Sequence, residues 1–186
     1  MSGTVIVVTD RTICKRSLPH QLKIVAKTSP DMIILREKDL SEQEYEELAI
    51  AVKAVCDDSG MTFVINSFIN VALKLSIMNV QLPFNVFKEN LTIVDSFKSV
   101  GVSVHNLKEA SDAEKSGADY LIFGNIFETS CKPGVSAKGL ESLQTICSSV
   151  KIPVYGIGGI DEMNADSVLK AGASGVCIRS AFMLMN

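Results

Sequence analysis

Short runs of apolar, often β-branched residues alternate along this chain with longer stretches of helical periodicity. Runs this continuous are typical of strands buried on both faces, as in a parallel sheet. Eight of them predict β-strands: Thr4–Thr9, Met32–Arg36, Thr62–Asn66, Ile77–Leu82, Ser99–His105, Ala118–Gly124, Ile152–Gly159 and Gly175–Arg179.

The stretches between these strands carry helix start and stop signals. Ser41 with Glu44 three residues later is the pattern of a capping box, and Gly60 is the predicted end of that helix. Because the same signals recur, we expect a regular alternation of strand and helix. Two later helices are predicted to start and stop at Asn106 and Gly117, and at Asp161 and Gly172.

Eight strands, each followed by a helix or loop, favour a (β/α)8 TIM barrel formed by one domain over residues 1–186. The alternative is a doubly wound sheet, which commonly has fewer strands. The barrel must be compact, with short helices in the fourth and last units and a brief helix after Asn66. The short final unit is expected to leave Phe182, Met183 and Met185 exposed, which predicts a homodimer.

The composition of the chain restricts the kinds of partner that we expect it to bind. The formal net charge is only −3, without a basic run, so we expect no nucleic-acid binding. No apolar segment approaches the ~20 residues that a membrane helix needs, and the apolar run near the amino terminus is interpreted as a strand rather than a signal peptide. Five cysteines without CxxC spacing predict reduced thiols in the cytoplasm, with no disulfide or metal framework.

Polar residues follow the predicted strands, where a TIM barrel has its active site. We therefore expect them to line one pocket that binds a phosphorylated small molecule. The strand-end residues are Thr9–Asp10–Arg11, Arg36–Glu37–Lys38, Asn66–Ser67, Ser103, His105, Asn125, Glu128, Thr129, Ser130, Cys131, Lys132, Gly158–Gly159 and Arg179–Ser180.

The last two strand ends predict a phosphate site. Gly158–Gly159 and Arg179–Ser180 each precede a predicted helix, and the free amides at a helix start bind anions. Lys132 in the same barrel mouth strengthens this interpretation, while the alternative is that Gly158–Gly159 forms only a turn. Arg36 and Lys38 share one face of an extended segment, which suits a second phosphate or a carboxylate. Ordinary surface charges balanced by neighbouring acids would explain them equally well.

Candidates for proton transfer or nucleophilic attack are few. His105 follows a strand and is a candidate pocket residue, although a helix-capping turn would also explain it. His20 lies on a predicted helix and is expected at the surface. Cys131 is not assigned as a nucleophile, because the sequence identifies no base to activate it.

Several motifs together resemble the thiamine phosphate synthase / TenI family. They are VTDR, ILREKDL, FVIN, GVSVHN, GADYLIFGNIFETSCKPG, IPVYGIGGI and AGASGVCIRSAF, in order from about Val5 to Phe182. The segment FGNIFETSCK is more similar to the TenI thiazole tautomerase branch than to the synthase branch. The resemblance implies a barrel that binds a phosphorylated thiazole in thiamine biosynthesis.

The resemblance also implies where a metal would bind. Synthases of this family join a pyrimidine pyrophosphate to thiazole phosphate, using Mg²⁺ held by two aspartates. The matching positions here are Ser67 and Val86, and Ile34 replaces a glutamine that contacts the pyrimidine. Because Mg²⁺ prefers carboxylate oxygens, the synthase reaction is disfavoured, and we expect no cofactor unless this alternative holds.

TenI-type tautomerases convert a thiazole phosphate carboxylate to its aromatic tautomer without a metal. The resemblance places their general acid/base, a histidine, at Asn125, and an amide cannot shuttle a proton near neutral pH. Three functions remain open. The first is a tautomerase in which Asn125 holds the substrate and His105 or Glu128 moves the proton. The second is a non-catalytic thiazole phosphate-binding or regulatory protein, and the third is a synthase-like transferase or a barrel for another phosphorylated substrate.

Overall fold

The eight predicted apolar runs form a closed parallel barrel in the computed structural model, which describes residues 3–129 and 134–186. The strands follow chain order, and β8 pairs with β1 to close the barrel, with Ile6 opposite Cys177. This confirms the (β/α)8 prediction. The strands are β1 (Thr4–Val8), β2 (Met32–Leu35), β3 (Thr62–Asn66), β4 (Asn79–Pro83), β5 (Ser99–Val104), β6 (Tyr120–Gly124), β7 (Val154–Ile157) and β8 (Gly175–Ile178).

Helices cover the outside of the barrel. Among the described residues they are α1 (Leu18–Val25), α2 (Glu42–Ser59), α3 (Ile69–Lys74), α4 (Phe84–Glu89), α5 (Leu91–Val94), α6 (Leu107–Lys115), α7 (Gly139–Ser149), α8 (Ala165–Lys170) and α9 (Ser180–Met183). Short 3-10 helices occupy Arg11–Ile13 and Ala26–Thr28. The predicted brevity of the third, fourth and last helical units is confirmed by α3, α4, α5 and α9.

The helix signals hold at two of the three predicted starts. The capping box of Ser41 and Glu44 is formed at the start of α2, and Gly60 ends that helix with a φ of +70°. The Asn106 side chain accepts a hydrogen bond from the amide of Glu109 at the start of α6. These caps satisfy amides that the first helical turn leaves without partners.

The third predicted helix start is wrong. The helix α8 begins at Ala165 with Asn164 as its N-cap, three residues after the predicted cap at Asp161. The Asp161 amide donates to Asn164 Oδ1 at 3.0 Å, and Asp161 Oδ1 accepts from the Met163 amide at 2.9 Å. The two side chains therefore stabilise a turn, which delays the helix.

The expected exposure of the carboxyl terminus is also wrong. Phe182 is 9% exposed, Met183 is fully buried, and Met185 is half-buried. Gln21 on α1 donates hydrogen bonds to the carbonyls of Phe182 and Met185, at 2.8 and 2.9 Å. The last helix is thus held against α1 within the same chain. The homodimer stays a prediction, without this surface as its reason.

Two apolar layers stabilise the barrel. Outward-facing strand residues pack against the helices in a large cluster that includes Val7, Ile33, Ile65, Leu82 and Phe123. A smaller cluster fills the barrel interior and contains Ile6, Val8, Ile34, Val64, Tyr120, Ile122 and Cys177. Because these side chains fill the interior, space for a ligand lies beyond them, at the carboxyl ends of the strands.

Four of the five cysteines lie in the described part of the chain. Cys14, Cys56, Cys147 and Cys177 are free thiols, and Cys131 lies outside the described residues. Burial raises the pKa of Cys177, so its thiol stays protonated. In residues 3–129 and 134–186, no helix has the length and apolar character needed to span a bilayer.

Candidate functional site

A cavity of about 650 Å³ opens at the carboxyl ends of the strands. Its lining includes twelve of the predicted strand-end residues: Arg36, Lys38, Asn66, Ser103, His105, Asn125, Glu128, Thr129, Gly158, Gly159, Arg179 and Ser180. Five other described strand-end residues that were expected to line it do not: Thr9, Asp10, Arg11, Glu37 and Ser67. The predicted ligand contacts Cys131 and Lys132 lie outside the described residues. Residues far apart in sequence therefore come together because parallel strands share one carboxyl edge.

Gly158 and Gly159 shape one wall of this cavity. Their φ angles are +101° and +65°, a region that side-chain-bearing residues rarely adopt. A Cβ atom on Gly158 would lie 2.4 Å from Asn125 Cβ, and one on Gly159 would lie 2.5 Å from the carbonyl oxygen of Glu128. The two glycines therefore let the loop after β7 contact the loop after β6.

Asn125 is fixed by its own loop. Only 3% of the residue is exposed, and its Nδ2 donates to the carbonyl oxygens of Phe127 and Val135 at 3.3 and 3.4 Å. Its Oδ1 is buried and accepts no hydrogen bond from any described residue. Both carbonyls can only accept, so the amide orientation is set and the oxygen is the atom left for another donor.

Asn66 is held by a buried tyrosine on α2. The Tyr45 hydroxyl accepts from the Asn66 amide at 3.1 Å and donates to the carbonyl oxygen of Leu35, and so joins the ends of β2 and β3. Burial raises the pKa of the Tyr45 hydroxyl, which keeps it a donor. Asn66 Nδ2 donates to the carbonyl oxygen of Gln81 at 3.0 Å, which adds β4 to this network.

The cationic side chains in the cavity differ in their protein contacts. Arg179 Nη1 donates to Asp10 Oδ2 at 2.7 Å, and both side chains are about one-fifth exposed, at 22% and 17%. The Arg36 guanidinium makes no hydrogen bond or ion pair with any residue in the described part of the chain. Lys38 is exposed at the cavity mouth. Among the described residues, the Arg36 guanidinium therefore has no partner, whereas the Arg179 guanidinium has Asp10.

Both candidate proton carriers lie at the cavity edge. His105 Nδ1 is 3.3 Å from Glu109 Oε2, and the histidine side chain is 50% exposed. The Glu128 side chain is exposed and accepts a hydrogen bond from the Ala137 amide at 3.1 Å. His105 thus lies in the turn that precedes the α6 cap at Asn106, and it also lines the cavity, so both of its expected positions are compatible.

Two buried polar residues of the site region differ from the prediction: Gln81 was not predicted, and Glu37, which was expected to line the cavity, does not belong to its lining. Gln81 is 2% exposed, lines the cavity, and donates from Nε2 to Ser103 Oγ at 2.9 Å. Glu37 is 3% exposed beneath the end of β2, where Thr9 Oγ1 donates to it at 2.7 Å. A polar residue inside an apolar strand, as in NVQLP, is the signal that could have identified Gln81.

The positions that would hold Mg²⁺ do not fit that ion. The Ser67 hydroxyl donates to Asn66 Oδ1 at 3.2 Å, and Val86 packs on α4 against the apolar core. Among the residues that the structure describes, no three His, Cys, Asp or Glu side chains form a group that could hold a metal ion. The donor set lacks the carboxylate oxygens that a hard divalent cation prefers.

Comparison with known proteins agrees with this architecture. The family model described as thiamine monophosphate synthase (TMP-TENI) matches residues 5–182. A thiamine-phosphate synthase of Clostridium acetobutylicum is 36% identical over 182 residues, covering 95% of this chain and 85% of that protein. One from Moorella thermoacetica is 41% identical over 155 residues, covering 80% of this chain and 72% of that protein.

A solved structure is similar over almost the whole chain. The thiamine phosphate pyrophosphorylase from Pyrococcus furiosus superposes with a TM-score of 0.84 at 33% identity, covering 98% of this chain and 88% of that one. The family match, the sequence relatives and this structure agree on one family. The chain belongs to the thiamine monophosphate synthase family.

Proposed function

We propose that this protein binds a phosphorylated thiazole in the carboxyl-end cavity and acts in the thiazole branch of thiamine biosynthesis. The observation that carries the proposal is the Arg36 guanidinium, which lines the cavity and meets no acid among the described residues. A planar guanidinium without a protein partner suits a phosphate group.

Backbone amides support the same ligand. Ser180 and Ala181 line the cavity and are the first residues of α9, where amides have no partner within the helix. Gly158 and Gly159 form the neighbouring wall. Apolar Ile34, Ile122 and Ile157 also line the cavity and offer a surface for a heterocyclic ring.

Tautomerisation of a thiazole phosphate carboxylate is the first candidate reaction. It moves one proton off the ring system and returns one, and it needs no metal. Asn125 would hold the substrate through its buried amide oxygen, while Glu128 or His105 would carry the proton. Both groups lie at the cavity edge, where a ligand could bring the reacting carbon within reach.

Transfer of a pyrimidine to thiazole phosphate with release of pyrophosphate is the second candidate. The names of the relatives favour it over the tautomerase, because both sequence relatives are called thiamine-phosphate synthases. The side chains at Ser67 and Val86 weigh against it, since neither offers a carboxylate to Mg²⁺. The two reactions share the thiazole phosphate site.

One pair of assays distinguishes the reactions. The protein is incubated with thiazole phosphate carboxylate and, separately, with thiazole phosphate, pyrimidine pyrophosphate and Mg²⁺, and the products are separated by chromatography. Conversion of the carboxylate that falls in Glu128→Gln or His105→Asn would support the tautomerase. Thiamine phosphate formed together with pyrophosphate would assign the synthase. Saturable binding without either product would indicate a binding protein, and the absence of binding would contradict the proposal.

A further inference from the structure

A buried carboxylate joins the ends of β1 and β2 behind the cavity. Glu37 is 3% exposed, although it lies between Arg36 and Lys38, which both line the cavity. Side chains alternate in direction along an extended segment. Glu37 therefore points away from the cavity while its two neighbours point toward it.

Residues at and after the end of β1 satisfy this carboxylate. Thr9 Oγ1 donates to Glu37 Oε1 at 2.7 Å, and the Arg11 amide lies 3.0 Å from Oε1 and 3.2 Å from Oε2. Arg11 Nη1 adds a contact of 3.3 Å and also donates to Asp39 Oδ1 at 2.7 Å. The positive charge of Arg11 is thus paired with the carboxylates of Glu37 and Asp39.

Thr9 connects the carboxylate to the backbone of Arg36. Its hydroxyl accepts a hydrogen bond from the Arg36 amide at 2.9 Å while it donates to Glu37. Thr9 is fully buried, and its own amide donates to the carbonyl oxygen of Ile34 at 3.0 Å. One hydroxyl group therefore fixes the main chain from which the Arg36 side chain enters the cavity.

We propose that Thr9 and Glu37 are positioning residues that orient Arg36 for the phosphate group of the ligand. The inference rests on the proposed function, because it takes that phosphate as the group that Arg36 binds. A guanidinium binds phosphate through paired N–H donors, so a change in its direction loses hydrogen bonds even when the charge remains. The Glu37 carboxylate accepts hydrogen bonds from Thr9 and Arg11, and so fixes the chain on the side away from the ligand.

The test is a double-mutant cycle measured by calorimetry with two ligands, thiazole phosphate and the dephosphorylated thiazole alcohol. Thr9→Val removes the hydroxyl with little change of shape, and Arg36→Met removes the charge. We expect Thr9→Val to weaken the binding of thiazole phosphate about tenfold, as loss of one charge-assisted hydrogen bond would. The affinity for the alcohol should not change. Thr9→Ser should restore the affinity.

The double variant separates positioning from general damage. In the Arg36→Met background, Thr9→Val should have no further effect on thiazole phosphate, because the group that it positions is gone. Losses that multiply would overturn the inference, as would equal weakening of both ligands. Thr28→Val is the matched control, since its hydroxyl donates to the Val25 carbonyl at 2.7 Å on the helix–strand connection that precedes β2.

Glu37→Gln tests the same inference if Thr9→Val does not fold. It keeps the shape of the side chain and removes its charge, and it should selectively weaken the binding of thiazole phosphate by a smaller factor.

A second anion separates the two proposals. If wild-type protein binds inorganic pyrophosphate but not thiazole phosphate, the proposed function fails, and the cycle run with pyrophosphate still tests the positioning of Arg36. Failure of both anions to bind would overturn both proposals.

Discussion

The Arg179 guanidinium donates a hydrogen bond of 2.7 Å to the Asp10 carboxylate and so joins the end of β8 to the residue that follows β1 by two positions. Both side chains are largely buried, at 22% and 17% exposed. This contact links the first and last strands at the carboxyl end of the barrel. It also reduces the positive charge that Arg179 presents to a ligand.

Replacing the acid of this pair should therefore separate ligand affinity from stability. We expect Asp10→Asn to tighten thiazole phosphate roughly fivefold, since removing one nearby negative charge changes the interaction by about 1 kcal/mol. The free energy of unfolding should fall by about 1–3 kcal/mol, because a charged hydrogen bond is weakened. Calorimetry and urea unfolding measure the two effects. Asp58→Asn, on the exposed side of α2, is the control, and unchanged affinity in Asp10→Asn would contradict the expectation.

Arg36 should contribute more to anion binding than any other position tested. Arg36→Met is expected to weaken thiazole phosphate about 10- to 100-fold, as loss of a charge-assisted contact of about 1.5–3 kcal/mol implies. Its free energy of unfolding should change little, because the guanidinium has no partner among the described residues. Arg16→Met, at an arginine outside the cavity lining, should leave binding at the wild-type value. Equal effects of the two variants would contradict this assignment.

Two glycines with similar backbone angles offer a matched test of the loop contact. Gly159 and Gly60 have φ angles of +65° and +70°, but a Cβ would lie 2.5 Å from the Glu128 carbonyl oxygen at the first and meet nothing within 4 Å at the second. Gly60→Ala should cost about 1 kcal/mol of stability from strain alone. Gly159→Ala should cost more and also weaken thiazole phosphate. Similar results for both variants would show that the loops do not need this close approach.

The stability that the segment after β2 contributes should decrease in acid. Hydrogen bonds from Arg11 hold the pKa of Asp39 below its usual value of about 3.9. A lowered folded-state pKa adds stability above the unfolded-state value, and that stability is lost as the pH falls through the folded-state pKa. Asp39→Asn should therefore flatten the decline of unfolding free energy below about pH 4, measured by urea unfolding. Arg11→Met should flatten it similarly, and an unchanged decline in both variants would contradict this cause.

The barrel was predictable because its signals are local. Continuous apolar runs gave the strands, and the capping box at Ser41 gave the start of α2. The same local pattern failed at Asp161, where the side chains of Asp161 and Asn164 stabilise a turn instead of a helix. The burial of the carboxyl terminus was not predicted, because the hydrogen bond from Gln21 to the Phe182 carbonyl joins residues 161 positions apart.

Most of the polar lining of the cavity was also predictable, since strand ends share one edge of the barrel. What the sequence could not show is which charges are already paired. Arg36 and Arg179 look alike as strand-end cations, yet Asp10 lies in space beside Arg179 and pairs with it. The burial of Glu37 could not be predicted for the same reason, because its donors are Thr9 and Arg11, at and after the end of β1.

Calorimetric titration of wild-type protein with thiazole phosphate, alongside the dephosphorylated thiazole alcohol, tests the central claim most directly. We expect saturable binding of the phosphorylated ligand at one site per chain and at least about tenfold weaker binding of the alcohol, because the phosphate contacts are lost. Equal affinity for the two ligands, or no binding of thiazole phosphate, would contradict the account.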